Sequence, residues 1–320
     1  MKVTIYEHVA ELPPLTAGSF FHSTELMGLC EQTPRHKPYM VVVSDDGGTA
    51  MAHMLAIERY RSSWFPPYLY THVRVLGEGV YHDGPDNELF GMMVDALSRR
   101  LHNRALYIEF SHLSQKMFGY GALRSAGFFP VRWMNIHNSL HSRTPEERIQ
   151  AKQLARIRNA QQRGAVTKVV ETEAEFQAFL KLLRHHNWLK PRRYVPHETF
   201  FRKTMESGKC KILITLYHDK MIGCSVTVYS NGDAYLWYSA SRRKSFATLH
   251  PNAVTFWETI KDAHKNGCQH IRFLDVGLPF RKNPYRDFIL SFGGKEVSSY
   301  RWFRISIRWV NAVASWLWRE

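Results

Sequence analysis

Residues 250–295 read HPNAVTFWETIKDAHKNGCQHIRFLDVGLPFRKNPYRDFILSFGGK. Pro251 suits a first helical position, where its missing N–H would have no partner in any case. Val254, Trp257, Ile260 and Ala263 then recur at helical spacing, which predicts an amphipathic helix. Lys265, Asn266 and Gly267 give it a cationic, glycine-terminated end. Ile271, Phe273 and Leu274 form a short apolar run that ends in Asp275 and Gly277, the pattern of a buried strand. A basic loop with Arg281, Lys282 and Arg286 follows, then a Phe-rich turn at Phe292-Gly293-Gly294. The stretch is an αβ unit followed by a loop suited to carry function.

The same alternation extends upstream. Val3 to Tyr6 reads as a strand and Ser19 to Cys30 as a helix; Met40 to Val43 and Ala50 to Ile57 form a hairpin around Asp45-Asp46-Gly47-Gly48. Gly84 to Asn103 suits a helix, Leu106 to Phe110 a strand, and Leu113 to Ala126 a helix. A second round opens with a polar helix over Thr144 to Arg163, in which Thr144 and Glu147 have capping-box spacing. Val166 to Val170 reads as a strand, Glu173 to Asn187 and Pro196 to Ser207 as helices, and Lys211 to Tyr217 with Met221 to Tyr229 as a hairpin, before a strand at Ala234 to Ala240. Two similar α/β halves in tandem are expected, with Tyr107-Ile108-Glu109-Phe110 and Gly127-Phe128 echoing Ile271-Arg272-Phe273 and Phe292-Gly293.

Composition narrows the function classes. The chain has 320 residues, 44% of them hydrophobic, enough for a large core and about two domains. Four cysteines show no C-x-x-C pairing, and seventeen histidines include no H-E-x-x-H spacing, so no metal site is expected. No G-x-G-x-x-G fingerprint or Walker loop is present, which argues against a Rossmann dehydrogenase or a P-loop enzyme. The lack of a signal peptide or of an apolar run of about 20 residues reads as a cytoplasmic protein with reduced thiols. Lys and Arg outnumber Asp and Glu by 43 to 28, a formal charge of +15, which points to a polyanionic or phosphorylated partner such as nucleic acid, anionic lipid or a phosphorylated substrate.

The order of helix, strand, basic loop and FGG turn in residues 250–295 resembles the closing half of the GNAT-fold acyltransferases. Within that superfamily, the two halves and the basic segment KQLARIRNAQQRG at residues 152–164 are similar to the Fem-type peptidoglycan aminoacyltransferases. The resemblance implies an α/β (α+β) chain of two tandem GNAT-like domains, each a mixed, mostly antiparallel sheet flanked by helices. The expected boundaries are 1–143, a basic joining helix at 144–165, and 166–320. It implies transfer of an acyl or aminoacyl group to an amine, on an acceptor such as a cell-wall precursor. No permanently bound cofactor is expected; acyl-CoA or aminoacyl-tRNA serves as co-substrate, so tRNA is a candidate partner. Two features depart from the pattern: the R/Q-x-x-G-x-G/A pyrophosphate loop of ordinary acetyltransferases is missing, and so is the long coiled-coil arm of several cross-bridge enzymes.

The candidate residues follow. Arg242, Arg243 and Lys244 sit just before the Pro251 helix, where unpaired N–H groups and the helix dipole favour phosphate; a surface loop with incidental charge is the alternative. At about 100° per residue Arg148, Lys152, Arg156 and Arg163 fall within about 80° of one another, a basic stripe that is either a phosphate contact or a solvated face. Asp275, at a strand's C-terminal edge, is the candidate general base, or else a turn cap. Tyr238, Asn252 and Arg286 complete the candidate donor- and substrate-binding set. Arg59, Arg61, Trp64, Tyr68, Tyr70, His72 and Arg74 interleave aromatics with cations, as an acceptor groove or as packing.

Trp302, Trp309 and Trp316 recur every seven residues with Arg301, Arg304, Arg308 and Arg319 among them. A final strand through about Ile307 and a helix packed on the second domain are expected. A helix with Trp on one side also suits peripheral contact at the inner face of a membrane. A non-catalytic basic adaptor for nucleic acid or an anionic membrane is the alternative to the enzyme, although no standard nucleic-acid-binding signature is present.

Overall fold

The computed structural model describes residues 1–60, 71–102, 104–111, 113, 118–187, 195–274, 276–279 and 282–318. In chain order its main elements begin with β1 (Lys2–Tyr6), α1 (Thr24–Glu31), β2 (His36–Ser44), β3 (Ala50–Tyr60), β4 (Thr71–Leu76) and β5 (Val80–Tyr81). Then come α2 (Asn87–Arg100), β6 (Tyr107–Ser111), α3 (Tyr120–Ser125), β7 (Phe129–Ser139), α4 (Pro145–Arg148), α5 (Ala151–Gln162) and β8 (Val166–Val169). The series continues with α6 (Glu173–Asn187), α7 (Glu198–Glu206), β9 (Cys210–Tyr217), β10 (Lys220–Ser230), β11 (Asp233–Ser241) and α8 (Pro251–Lys265). It closes with β12 (His270–Phe273), α9 (Pro284–Leu290), β13 (Lys295–Ile305) and α10 (Arg308–Leu317). Two compact units result: Met1–Trp133 with Ser298–Glu320, and Met134–Val297.

In the first unit the strand order is β1-β2-β3-β4-β6-β13, with β5 beside β3; the β4–β6 pair is parallel and the others antiparallel. The β2–β3 turn is held by Thr49 N–H donating to Asp45 Oδ1 at 2.7 Å, with Gly48 at φ +86°. One face carries the core: Val41, Met54, Val75, Phe90, Val94, Phe110 and Trp302 are all buried together. Trp302 comes from β13 and lies opposite Phe110 of β6, so residues about 190 apart complete one core. Full burial of such a side chain contributes about 2–3 kcal/mol.

The second unit has the order β7-β12-β11-β10-β9-β8, with β11–β12 parallel. Each unit thus runs strand, helix, antiparallel hairpin, strand, helix, parallel strand, with a second helix, α7, before the hairpin of the second unit; this is the duplication the sequence echoes suggested. The strand that follows α3, however, pairs with β12 of the second unit through Ile136–Ser139, and the strand that follows α9 pairs with β6 of the first. The tail is therefore part of the first unit, and residues 134–143 part of the second, against the expected boundary at 143 and the expected packing of the tail on residues 166–320.

The expected helix over 144–163 is two helices. Thr144 N–H donates to Glu147 Oε2 at 3.1 Å, the capping contact read from the sequence. Ile149 then turns extended and buries its side chain, and Gln150 N–H donates to Ser291 O at 2.9 Å. Periodicity could not foresee this break, because its cause is a distant turn: Gly293, at φ +86°, passes so close that a Cβ there would lie 2.5 Å from Arg148 O. Strand β7 was also not expected, and α3 is shorter than the helix expected from Leu113.

Candidate functional site

Helix α8 is seated by hydroxyls and by one glycine. Thr255 Oγ1 donates to Pro251 O at 2.8 Å and lies 2.6 Å from Thr215 Oγ1 on β9; Ser225 Oγ of β10 lies 2.7 Å from Thr259 Oγ1. A Cβ on Gly223 of β10 would overlap the Thr255 hydroxyl, so glycine lets the first turn of α8 come down onto the strand. The apolar face, with Ala253, Val254, Phe256, Trp257 and Ile260, is buried.

This leaves the N-terminus of α8 open. His250, the residue before the helix, is left-handed at φ 44°, ψ 52°, and makes no side-chain cap. Its carbonyl accepts from Ala253 N at 2.8 Å and Val254 N at 3.2 Å, and Pro251 has no N–H. The Asn252 N–H finds no acceptor among the described residues. An uncapped helix start carries partial positive charge and favours an anion.

Cations surround that end. Arg242 N–H donates to Ile222 O at 2.8 Å and Phe246 N–H to Arg242 O at 3.1 Å, which fixes the loop leading into the helix. The side chains of Arg242, Arg243 and Lys244 are exposed and make no ion pair among the described residues. Helix α5 packs against α8 and the single turn Ala247–Leu249 before it. Arg163 Nη1 reaches Thr248 O at 3.5 Å, and Arg156, beside His250, adds to burial in lowering the imidazole pKa. Ile157 and Ala160 bury the opposite face of α5, which leaves Lys152 and Arg156 exposed. Arg148 has left the stripe with the helix break and donates to Ser142 Oγ at 2.5 Å.

The parallel pair β11–β12 leads to the same end. Asp233 accepts from Arg272 Nε at 2.6 Å and lies 3.1 Å from His270 Nδ1, tying the start of β11 to β12. Pairing runs Asp233–Leu236 against His270–Phe273. Beyond it β11 continues to Ser241, and its register with β10 steps by one residue at Trp237. The C-terminal ends of parallel strands are where α/β folds gather ligands.

Residues 150–282 match the Acetyltransferase (GNAT) domain family. The whole chain has the fold of tandem GNAT proteins. It superposes on FemX with a TM-score of 0.62 at 10% identity, covering 90% of this chain and 97% of that one. It superposes on L-PGS from Bacillus licheniformis with a TM-score of 0.59 at 10% identity, covering 93% and 92%. A tandem GNAT protein from the clavulanic acid biosynthesis pathway gives 0.54 at 10% identity, covering 89% and 88%. No curated protein matches the sequence. The GNAT domain family and the Fem-type likeness read from residues 152–164 and 250–295 agree with the tandem, mostly antiparallel architecture.

Around α8 the structure brings together Arg242, Arg243, Lys244, Asn252 and Arg156, while Lys152 is exposed on α5 one turn before Arg156. Tyr238 is half-buried in an aromatic cluster, 5.4 Å edge-on to Phe201 and 5.6 Å from Trp237. Arg286 is committed elsewhere: its guanidinium donates to Leu278 O at 3.3 Å and Pro279 O at 3.1 Å and pairs with Glu296 at 3.3 Å, clasping the loop before α9. Asp275 lies outside the described residues, as do Arg61, Trp64, Tyr68, Tyr70 and Arg319. Arg59, His72 and Arg74 are buried or half-buried in the first unit, where Arg74 pairs with Glu109 and Arg59 lies beside His72. Asn252 stood among the candidate residues, and the sequence signal for its open N–H is the absence of Ser, Thr, Asp or Asn directly before Pro251.

Burial pushes the thiols of Cys30, Cys210 and Cys224 up to about 12, so none is a ready nucleophile at neutral pH. No group of three or more His, Cys, Asp or Glu among the described residues is arranged to hold a metal ion.

Proposed function

We propose that the second unit binds the phosphates of an acyl donor at the N-terminus of α8, and that the protein transfers the acyl group to an amine. Acyl-CoA is a donor with this phosphate chemistry, and the match to an acetyltransferase domain favours it. The observation that carries this reading is the open Asn252 N–H at a helix start flanked by Arg156 and by three cations without ion pairs. The match of residues 150–282 to an acetyltransferase domain supports it.

In the reaction, the neutral amine attacks the thioester carbonyl, an N–C bond forms, the C–S bond breaks, and the amine proton leaves to a base while the thiolate departs on CoA. The chain's contribution is to fix the donor by its phosphates and hold the amine in line, which saves the entropy of a bimolecular encounter. Asp275, next after Leu274 in sequence, is the candidate base. Aminoacyl-tRNA as donor presents the same phosphate chemistry, and a cell-wall precursor is the proposed acceptor class on the Fem-type resemblance.

Calorimetric titration of the full chain with CoA, acetyl-CoA and an aminoacyl-tRNA tests the donor. The expected outcome is CoA binding that weakens at least about tenfold in Arg242→Ala with Arg243→Ala and falls with salt. Unchanged affinity in that variant would end the proposal for this site. Donor binding without consumption across an amine panel would favour the adaptor reading instead. Near-normal turnover by Asp275→Asn would remove the aspartate as base.

A further inference from the structure

Helix α10 wears its polarity inside out. Arg308, Trp309, Ala312, Val313, Trp316 and Leu317 are its exposed positions, and none of its residues is buried. Trp309 is 72% exposed, Val313 51%, Trp316 67% and Leu317 65%. At about 100° per residue the apolar members of this set span about 140° of the helix. The inward side carries the polar anchor: Asn311 Nδ2 donates to Gly127 O at 3.1 Å, and Asn311 Oδ1 accepts from Ile305 N at 2.8 Å. Two bonds to the backbone of the first unit thus hold the helix with its tryptophans facing away from the protein. A helix fixed only for solvent would turn the other way.

The sequence leading into and through this helix is basic, with Glu320 after it. Residues 297–319 contain four arginines and no acid. Arg304 donates to Ser98 O at 3.0 Å and Arg301 pairs with Glu109, so both are committed inside the unit. Arg308 is exposed at the head of the apolar stripe and makes no ion pair among the described residues. The chain as a whole carries +15. Tryptophan favours the headgroup level of a bilayer because its ring is apolar and its N–H polar.

We propose that α10 docks the protein on the surface of an anionic phospholipid bilayer, lying in the interface plane with Trp309, Val313, Trp316 and Leu317 inserted and Arg308 at the headgroups. Ten helical residues extend about 15 Å, half the roughly 30 Å hydrocarbon core, so the helix lies on the membrane and does not cross it. No helix among the described residues is long and apolar enough to span. The proposal stands apart from acyl transfer, since it needs no donor.

The test is co-sedimentation of the full chain with vesicles of phosphatidylglycerol and phosphatidylcholine in equal parts, against phosphatidylcholine alone, with tryptophan emission recorded. The expected result is binding and a blue shift on the anionic vesicles only, weakened by salt. Trp309→Ser with Trp316→Ser lowers the partition coefficient at least about tenfold while melting temperature and far-UV circular dichroism stay unchanged. Arg308→Glu, which leaves both indoles in place, lowers it about fivefold or more. A wild-type chain that stays in the supernatant overturns the proposal, as does a double Trp variant that sediments equally well. A wild-type dimer that the double Trp variant converts to monomer, with no vesicle binding by either, assigns the face to a second copy and overturns it too.

Discussion

Asp86 Oδ1 accepts the N–H of Glu88 at 2.7 Å, and that of Leu89 at 3.0 Å, closing the start of α2. Helix α2 occupies in the first unit the place that α8 occupies in the second, between two parallel strands. Its N-terminus is capped by its own carboxylate and followed by Glu88, with Glu78 and Asp83 in the preceding loop. The same topological position is filled by anions in one unit and open to them in the other. Donor binding is therefore expected in the second unit alone. Asp86→Ala should lower stability by about 1 kcal/mol and leave CoA affinity unchanged. Arg242→Ala with Arg243→Ala should do the reverse, as read by thermal unfolding beside calorimetric titration.

The first unit should lose stability as the medium acidifies. Burial holds the His22 and His36 imidazoles near 3 and those of His53 and His72 near 4, with His53 and Arg59 nearby adding to the effect. The ring nitrogens of His22 lie 3.1 Å from Leu55 N and 3.1 Å from Gly79 N, so a second ring proton would face an N–H donor. These folded pKa values lie below the usual 6.5. Stability is thus full above about pH 6.5 and declines below it as the unfolded chain takes up protons that the folded chain refuses. Denaturant midpoints should hold from pH 7.5 to about 6.5 and fall from there towards pH 5. His53→Gln, provided it folds, should flatten that slope, and an unchanged slope would show that other groups set it.

Glu109 stands at the centre of the β4–β6–β13 sheet, 3.4 Å from Arg74 Nε and 3.3 Å from Arg301 Nη1, and accepts from Ser111 Oγ at 2.7 Å. Burial alone would raise its carboxyl, but the two guanidiniums outweigh it and pull the group down to about 2. Glu109→Gln leaves two guanidiniums beside an uncharged amide and should cost about 3–5 kcal/mol in chemical denaturation. Its effect should shrink as pH falls from 4.5 towards 2, where the native carboxylate is itself protonated.

Gly293→Ala should destabilise the second unit by about 2 kcal/mol or more, since φ is +86° there and the new methyl would meet Arg148 O. Gly232→Ala is the control: its φ of +76° carries a similar backbone strain, yet nothing lies within 4 Å of its Cβ position. A difference between the two variants in thermal unfolding measures the steric part alone.

Local pattern made the duplicated α/β order and the α8–β12 unit legible. Helix and strand periods are set by residues that touch their own neighbours, as in the Val254, Trp257, Ile260 and Ala263 face, all four buried. The partnership of β13 with β6 was not legible, because Trp302 meets Phe110 only after the chain has built another unit. Nor was the break at Ile149, which depends on Gly293. Of the candidate residues, Arg242, Arg243 and Lys244 are exposed in the loop before the Pro251 helix, as their sequence position suggested. Arg286 looked the same in composition, but its charge is spent on two carbonyls and Glu296. Charge is visible in a sequence; what neutralises it depends on the fold.

The return of the chain through β13 has a consequence for synthesis. In amino- to carboxy-terminal synthesis the first unit lacks a strand and part of its core until Tyr300 and Trp302 are made, after residues 134–297. The half made first is therefore the half finished last, and until residues 298–305 arrive β6 presents an open edge that could pair with another chain. Loss of the last two dozen residues would accordingly take Tyr300 and Trp302 out of the core of the amino-terminal unit, the half that was made first.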